Sequence, residues 1–132
     1  MESKPLSEEP DCLAPDGSEI RLLAATSRAS TVHCTLRSGQ TSLAVAHKSV
    51  EEIWYFLEGE GEVWRKQGGD KEVTAEEVTG VTPGVSLTIP SGTHFQFRNT
   101  GAEPLRFLCV TVPPWPGEGE AYRVEGHWTI DS

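Results

Sequence analysis

The stretch from Gly39 to Gly59, GQTSLAVAHKSVEEIWYFLEG, constrains the fold more than any other part of the chain. Thr41 to Ala46 and Glu52 to Leu57 are rich in β-branched, aromatic and aliphatic residues, and the HKSVE between them is short and polar. The local pattern is strand, turn, strand. His47 and Glu52 then stand at the two strand ends flanking one turn, where an imidazole nitrogen and a carboxylate oxygen can converge on a divalent cation. In the second strand the period of two puts Glu52, Trp54 and Phe56 on one face and Ile53, Tyr55 and Leu57 on the other. Both faces are apolar, so the strand is expected to be covered on two sides, by another strand or by a second subunit. A carboxylate that shares its face with two aromatics needs a cation, a donor or a proton.

The rest of the chain has the same character. Residues 1–17 carry three prolines, several acids and little apolar surface, which reads as a mobile arm ending in the turn Pro15-Asp16-Gly17. EIRLLAA from Glu19 is a candidate first strand, and in STVHCTLR Val32, Cys34 and Leu36 alternate with His33 and Thr35. After Gly59 a strand from Glu60 to Gln67 is expected, with Gly68-Gly69-Asp70 closing a hairpin into Lys71 to Thr74, and at most a turn over Ala75 to Val78. Leu87 to Ile89 runs into the turn Pro90-Ser91-Gly92. In the strand that follows, parity sets Phe95 and Phe97 against His94, Gln96 and Arg98. LRFLCVTV from Leu105 reads as a well-buried strand. The tail from Pro113 has too many prolines and glycines for regular structure, and its Trp115 and Trp128 are expected to pin it to the outside of the domain. The organisation is an arm over 1–17, one domain over 18–112 and a packed tail over 113–132.

Two spaced motifs within this pattern resemble those of the cupin superfamily. One common form of the first, G-x5-H-x-H-x4-E-x6-G, lands from Gly39 on Val45, His47, Glu52 and Gly59 without a gap. The second, G-x5-P-x-G-x2-H-x3-N, lands from Gly84 on Pro90, Gly92, Phe95 and Asn99. The wording GTHFQFRN, EEIWYF and VTVPPWPG is similar to small bacterial single-domain cupins. The resemblance implies an all-β fold, a double-stranded antiparallel β-barrel of the jelly-roll type. It also implies a pocket inside the barrel. In metal-bearing cupins the ligands are the two histidines and the glutamate of the first motif plus the histidine of the second, and this chain holds Val45, His47, Glu52 and Phe95 there. Two of the usual four metal-ligand positions are thus replaced.

By parity the pocket is expected to hold His47 and Glu52 walled by Val45, Trp54, Phe56, Phe95 and Phe97, a mostly apolar site with a few polar groups, as small-molecule sites are. The principal expectation is a small organic ligand bound there, with a divalent metal held weakly or not at all. A metal-dependent enzyme of oxygenase or isomerase type is the alternative, with Fe, Mn, Ni or Zn held by His47, Glu52 and either His94 or His33. His94 serves only if a bulge after Gly92 reverses its parity. Without a metal, His47 and Glu52 form a pair that orients a ligand or acts on it as acid and base. A non-catalytic sensing or interaction module is a third reading.

Composition narrows the partners. The formal charge is −9, from 20 acidic and 11 basic residues, and no stretch gathers Lys or Arg into a patch. Neither nucleic acid nor an anionic membrane is an expected partner. The three cysteines stand far apart with no C-x-x-C, which argues against a disulfide framework or a zinc knuckle. A polar, acidic N-terminus and the lack of a long apolar run lead to the expectation of a cytoplasmic protein. The apolar faces of Glu52 to Leu57 and Ile20 to Ala25 lead to that of a homodimer.

Overall fold

The computed structural model describes residues 1–68 and 72–130. Eleven strands follow one another without a helix among the described residues. They are β1 (Cys12–Leu13), β2 (Glu19–Ala25), β3 (Ser30–Leu36), β4 (Val45–His47), β5 (Glu51–Glu58), β6 (Gly61–Gly68), β7 (Val73–Val81), β8 (Ser86–Ile89), β9 (His94–Asn99), β10 (Leu105–Val112) and β11 (Ala121–Arg123). They form two antiparallel sheets, one in the order β1-β2-β3-β10-β5-β8 and the other β11-β4-β9-β6-β7. This is the double-stranded β-barrel expected from the motifs. No helix is long and apolar enough to cross a membrane among the described residues.

His47 ends β4 and Glu52 is the second residue of β5, so the turn between them carries the chain from one sheet to the other. That crossing makes two residues close in sequence face each other across the barrel interior. The strand expected over Thr41 to Ala46 is shorter than anticipated. Thr41 makes an isolated bridge to Arg98, and regular pairing begins only at Val45. Between them the Ser42 hydroxyl accepts the Phe97 N–H at 3.0 Å, taking a place that a backbone carbonyl holds in a regular ladder.

Two motif glycines show why the spacing matters. Gly59 has φ +81°, and a Cβ there would lie 2.4 Å from the Pro104 carbonyl oxygen, so no other residue fits where β5 leaves its sheet. Gly92 has φ +78° in the turn before β9, and its N–H donates to the His47 carbonyl at 2.8 Å. The second motif therefore supports the backbone of the first.

The core lies between the sheets. Trp54 stacks on Phe107 with ring centroids 4.4 Å apart, and Phe56, Phe95 and Phe97 close around them. Together these rings supply much of the apolar burial that drives the sheets together. β5 alternates as expected, with Glu52, Trp54 and Phe56 inside, but the described residues leave its other face open. Ile53 is 53% exposed and Tyr55 47%. The expected turn over Ala75 to Val78 is instead the middle of β7, which pairs with β6 from Gly61↔Val81 to Gly68↔Val73. Its acids and exposed side chains disguised it, because an edge strand needs backbone pairing more than apolar alternation. The turn expected at Gly68-Gly69-Asp70 and Lys71 falls mostly outside the described residues.

Residues 1–17 lie along the outer edge of β2. The Arg21 guanidinium donates to the carbonyls of Ser7 (2.9 Å) and Glu8 (2.7 Å), the Ala25 N–H donates to the Glu2 carboxylate (3.0 Å), and Asp11 bonds to β2 through both backbone and side chain. The tail crosses the other sheet. There the buried Gln96 amide binds the backbone of Ser42, His127 and Trp128, and the Arg98 guanidinium lies 4.4 Å over the Trp128 ring. Trp128 thus pins the tail to the barrel outside, as expected. Trp115 does not, because the chain turns inward after Val112.

Candidate functional site

Between the sheets a cavity of about 420 Å³ is walled by Val32 and Cys34 of β3, Phe107 and Cys109 of β10, Trp54 of β5 and Phe95 of β9. Glu52, Thr111, His47 and Asp16 contribute its polar groups. The rim comes from the arm, through Glu2, Lys4, Cys12 and Leu13, and from Trp115 of the tail.

Glu52 is 8% exposed and well supplied with donors. Trp54 Nε1–H donates to its Oε1 at 3.0 Å and the Thr111 hydroxyl donates to its Oε2 at 2.8 Å. Thr111 stands directly opposite Glu52 in the register of β10 on β5. Two donors satisfy part of what a buried carboxylate loses on leaving water. His47 packs edge-on against Phe95 and Trp115, with centroids 5.2 and 5.1 Å away. Its Nδ1 is buried, lies 4.0 Å from Glu52 Oε1, too far for a hydrogen bond, and has no partner among the described residues. The polar end of the cavity is therefore one hydrogen bond short.

Asp16 arrives from the loop before β2. Burial raises its carboxyl above the ordinary value, the hydroxyl and N–H of Ser18 (2.6 and 2.9 Å) pull it back, and the Glu52 charge raises it again. Burial also pushes the Cys34 and Cys109 thiols well above their usual value, and the Glu52 carboxylate adds to both shifts. Both thiols are therefore neutral at pH 7 and behave as small apolar walls.

The turn that joins His47 to Glu52 is held by a residue far away in sequence. Glu120, 4% exposed, accepts the N–H groups of Lys48 (3.1 Å), Ser49 (2.9 Å) and Val50 (3.2 Å) and the Ser49 hydroxyl. Burial works against the charge, but these donors prevail and hold the carboxyl below its ordinary value.

The structure brings His47, Glu52, Val45, Trp54 and Phe95 to the cavity. Phe56 and Phe97, both 0% exposed, have the right parity but lie deeper, in the aromatic core and away from the open volume. His94 lies on the face of β9 opposite Phe95, paired in register with Lys66, and no bulge turns it inward. His33 is buried on the outer face of the other sheet, across from Arg21. Its pKa is lowered by burial and by the charges of Arg106 and Arg21. Neither histidine joins His47 and Glu52, and no group of three or more metal-ligating side chains assembles among the described residues. A transition metal takes four or more ligands, whereas here Val45 and Phe95 face each other as apolar partners and leave His47 and Glu52 as the donors of the four motif positions. The residues present do not fit a tightly held metal. Asp16, Thr111, Trp115 and Glu120 were not anticipated as parts of the site. The register of β10 on β5 brings in Thr111, the loop before β2 brings in Asp16, and the return of the tail brings in Trp115 and Glu120; none of these is visible locally.

Residues 32–111 match the family described as cupin domain. An uncharacterized protein of Methanocaldococcus jannaschii is 30% identical over 111 residues, 80% of this chain and 82% of that protein. Among solved structures, an uncharacterized conserved protein with a double-stranded beta-helix domain from Klebsiella pneumoniae superposes with a TM-score of 0.62 at 20% identity, covering 94% of this chain and 91% of the other. Bacillus subtilis oxalate decarboxylase, which has Mn(II) centers, superposes with a TM-score of 0.69 at 16% identity, covering 89% of this chain but 30% of that one.

Proposed function

Because this chain belongs to the cupin domain family, we propose that it uses the barrel interior to bind a small organic molecule, with no tightly held metal in attendance. The observation that carries the reading is the cavity itself. It has about 420 Å³ of open volume, aromatic and aliphatic walls, and one polar end at His47 and Glu52. Its size lies in the range of ligand sites, and the few convergent polar groups are what orient a ligand inside an apolar wall. Glu52, positioned by Trp54 and Thr111, supplies a fixed acceptor. His47 is held edge-on between Phe95 and Trp115 and offers a nitrogen without a partner.

A thermal-shift screen of neutral and charged organic molecules tests the reading on the intact chain and on Cys109→Phe, which places a ring into the open volume. Compounds that raise the melting temperature of the former and not of the folded variant bind in the cavity. Compounds that stabilise both equally bind elsewhere, and a screen in which all stabilisers behave so removes the proposal. Elemental analysis of protein purified without added metal is expected to return well under one metal per chain. A stoichiometric metal released by His47→Ala would overturn the metal-free part.

A further inference from the structure

We propose that the cavity selects an organic ammonium, an amine carried on an apolar or aromatic body, and rejects carboxylates of the same shape. This rests on the cavity being the ligand site and goes further by giving the sign of the ligand's charge. Glu52 and Asp16 both line the open volume, so two carboxyl side chains share one cavity. Arg does not occur among the described lining residues, and their one lysine is Lys4, at the rim and supplied by the arm. An anion entering this space would meet two carboxyl groups in a low-dielectric enclosure, and a cation would be drawn to both.

The walls point the same way. Trp54, Phe95, Phe107 and Trp115 line the same cavity, Phe95 and Trp115 against His47 and Trp54 against Glu52, and aromatic rings attract cations through their quadrupole, most strongly when the cation is desolvated. Aromatic walls and a carboxylate in one cavity both favour an ammonium group. Glu52 has lone pairs left after accepting from Trp54 and Thr111, since an ionised carboxylate offers about four acceptor sites. His47 Nδ1, buried and unpartnered beside Glu52 Oε1, adds an independent sign that the polar end is incomplete without a further group. A cationic donor at Glu52 is the group of matching charge.

Three probes of like shape separate the outcomes: 2-phenylethylamine, 2-phenylethanol and 3-phenylpropionate, titrated by calorimetry and by tryptophan fluorescence at neutral pH. The amine is expected to bind on the order of tenfold more tightly than the alcohol, the scale of one charge-assisted hydrogen bond, and the carboxylate more weakly than both. Glu52→Gln is expected to remove about tenfold from the amine and to leave the alcohol nearly unchanged. Should that variant fail to fold, Asp16→Asn, which keeps the acceptor for Ser18, is expected to weaken the amine about threefold. Equal binding of amine and alcohol, or tighter binding of the carboxylate, overturns the ammonium assignment and leaves the cavity reading standing. Should none of the three bind while Cys109→Phe also leaves every thermal shift unchanged, both readings fall together.

Discussion

Val45 and Phe95 sit directly across from each other where β4 meets β9, and both side chains reach the cavity beside His47 and Glu52. At this scale the metal question comes down to two side chains. Replacing both in Val45→His with Phe95→His puts three imidazoles and one carboxylate around a single point, the donor set that the cupin resemblance assigns to metal-bearing relatives. The double variant is expected to take up Zn(II), Mn(II) or Fe(II) near one equivalent after incubation and desalting, against little for the parent. Elemental analysis is the measurement, and no gain in uptake would mean that the backbone here does not match a metal-bearing site. Either single substitution supplies three ligands and is expected to fall between the two.

The turn over residues 48–50 is the element on which the site depends, because it sets how His47 at the end of β4 meets Glu52 in β5. Glu120 holds it through donors to both carboxylate oxygens. Glu120→Gln turns an amide N–H₂ toward backbone N–H groups and is expected to destabilise the fold by about 1–3 kcal/mol, read from denaturant unfolding. The same carboxyl sets a pH dependence. Its folded pKa lies below the unfolded one, so its stabilisation is present above the ordinary carboxylate range and is lost as pH falls through the folded value. In Glu120→Gln that part of the acid sensitivity is expected to vanish, and an unchanged acid limb of stability against pH would contradict the role. This element also shows what the sequence could carry. Alternation and the motif glycines made the strands, the parity of Val45, His47, Glu52, Trp54 and Phe95, and the outward turn of His94 legible, because each is a local property. Depth along the barrel is not local, so the parity of Phe56 and Phe97 points them at the pocket although they pack in the core. Long-range pairing and the return of loops are not local either, and through them Thr111, Asp16, Trp115 and Glu120 reach the site.

For the molecule as a whole, the open face of β5 is the surface that stands out. Ile53 and Tyr55 are exposed there, and their register partners on β10, Val110 and Leu108, extend the apolar strip, flanked by Arg106 and Glu58. A strip of this kind with charged groups at its margin suits self-association about a two-fold axis, and we expect a homodimer through it. Light scattering should then give about twice the 14.4 kDa of one chain at micromolar concentration, and Ile53→Lys with Tyr55→Lys should return it to one. A single-chain mass for the unmodified protein would dispose of the idea. The rim of the cavity has a practical consequence of another kind. Cys12 is exposed there, whereas Cys34 and Cys109 are buried with neutral thiols. A maleimide dye added to the native, unmutated protein will therefore attach at one position only, at the doorway of the barrel. A dye held there stands where an entering molecule must pass, and a change in its emission on adding a ligand is the expected sign of entry.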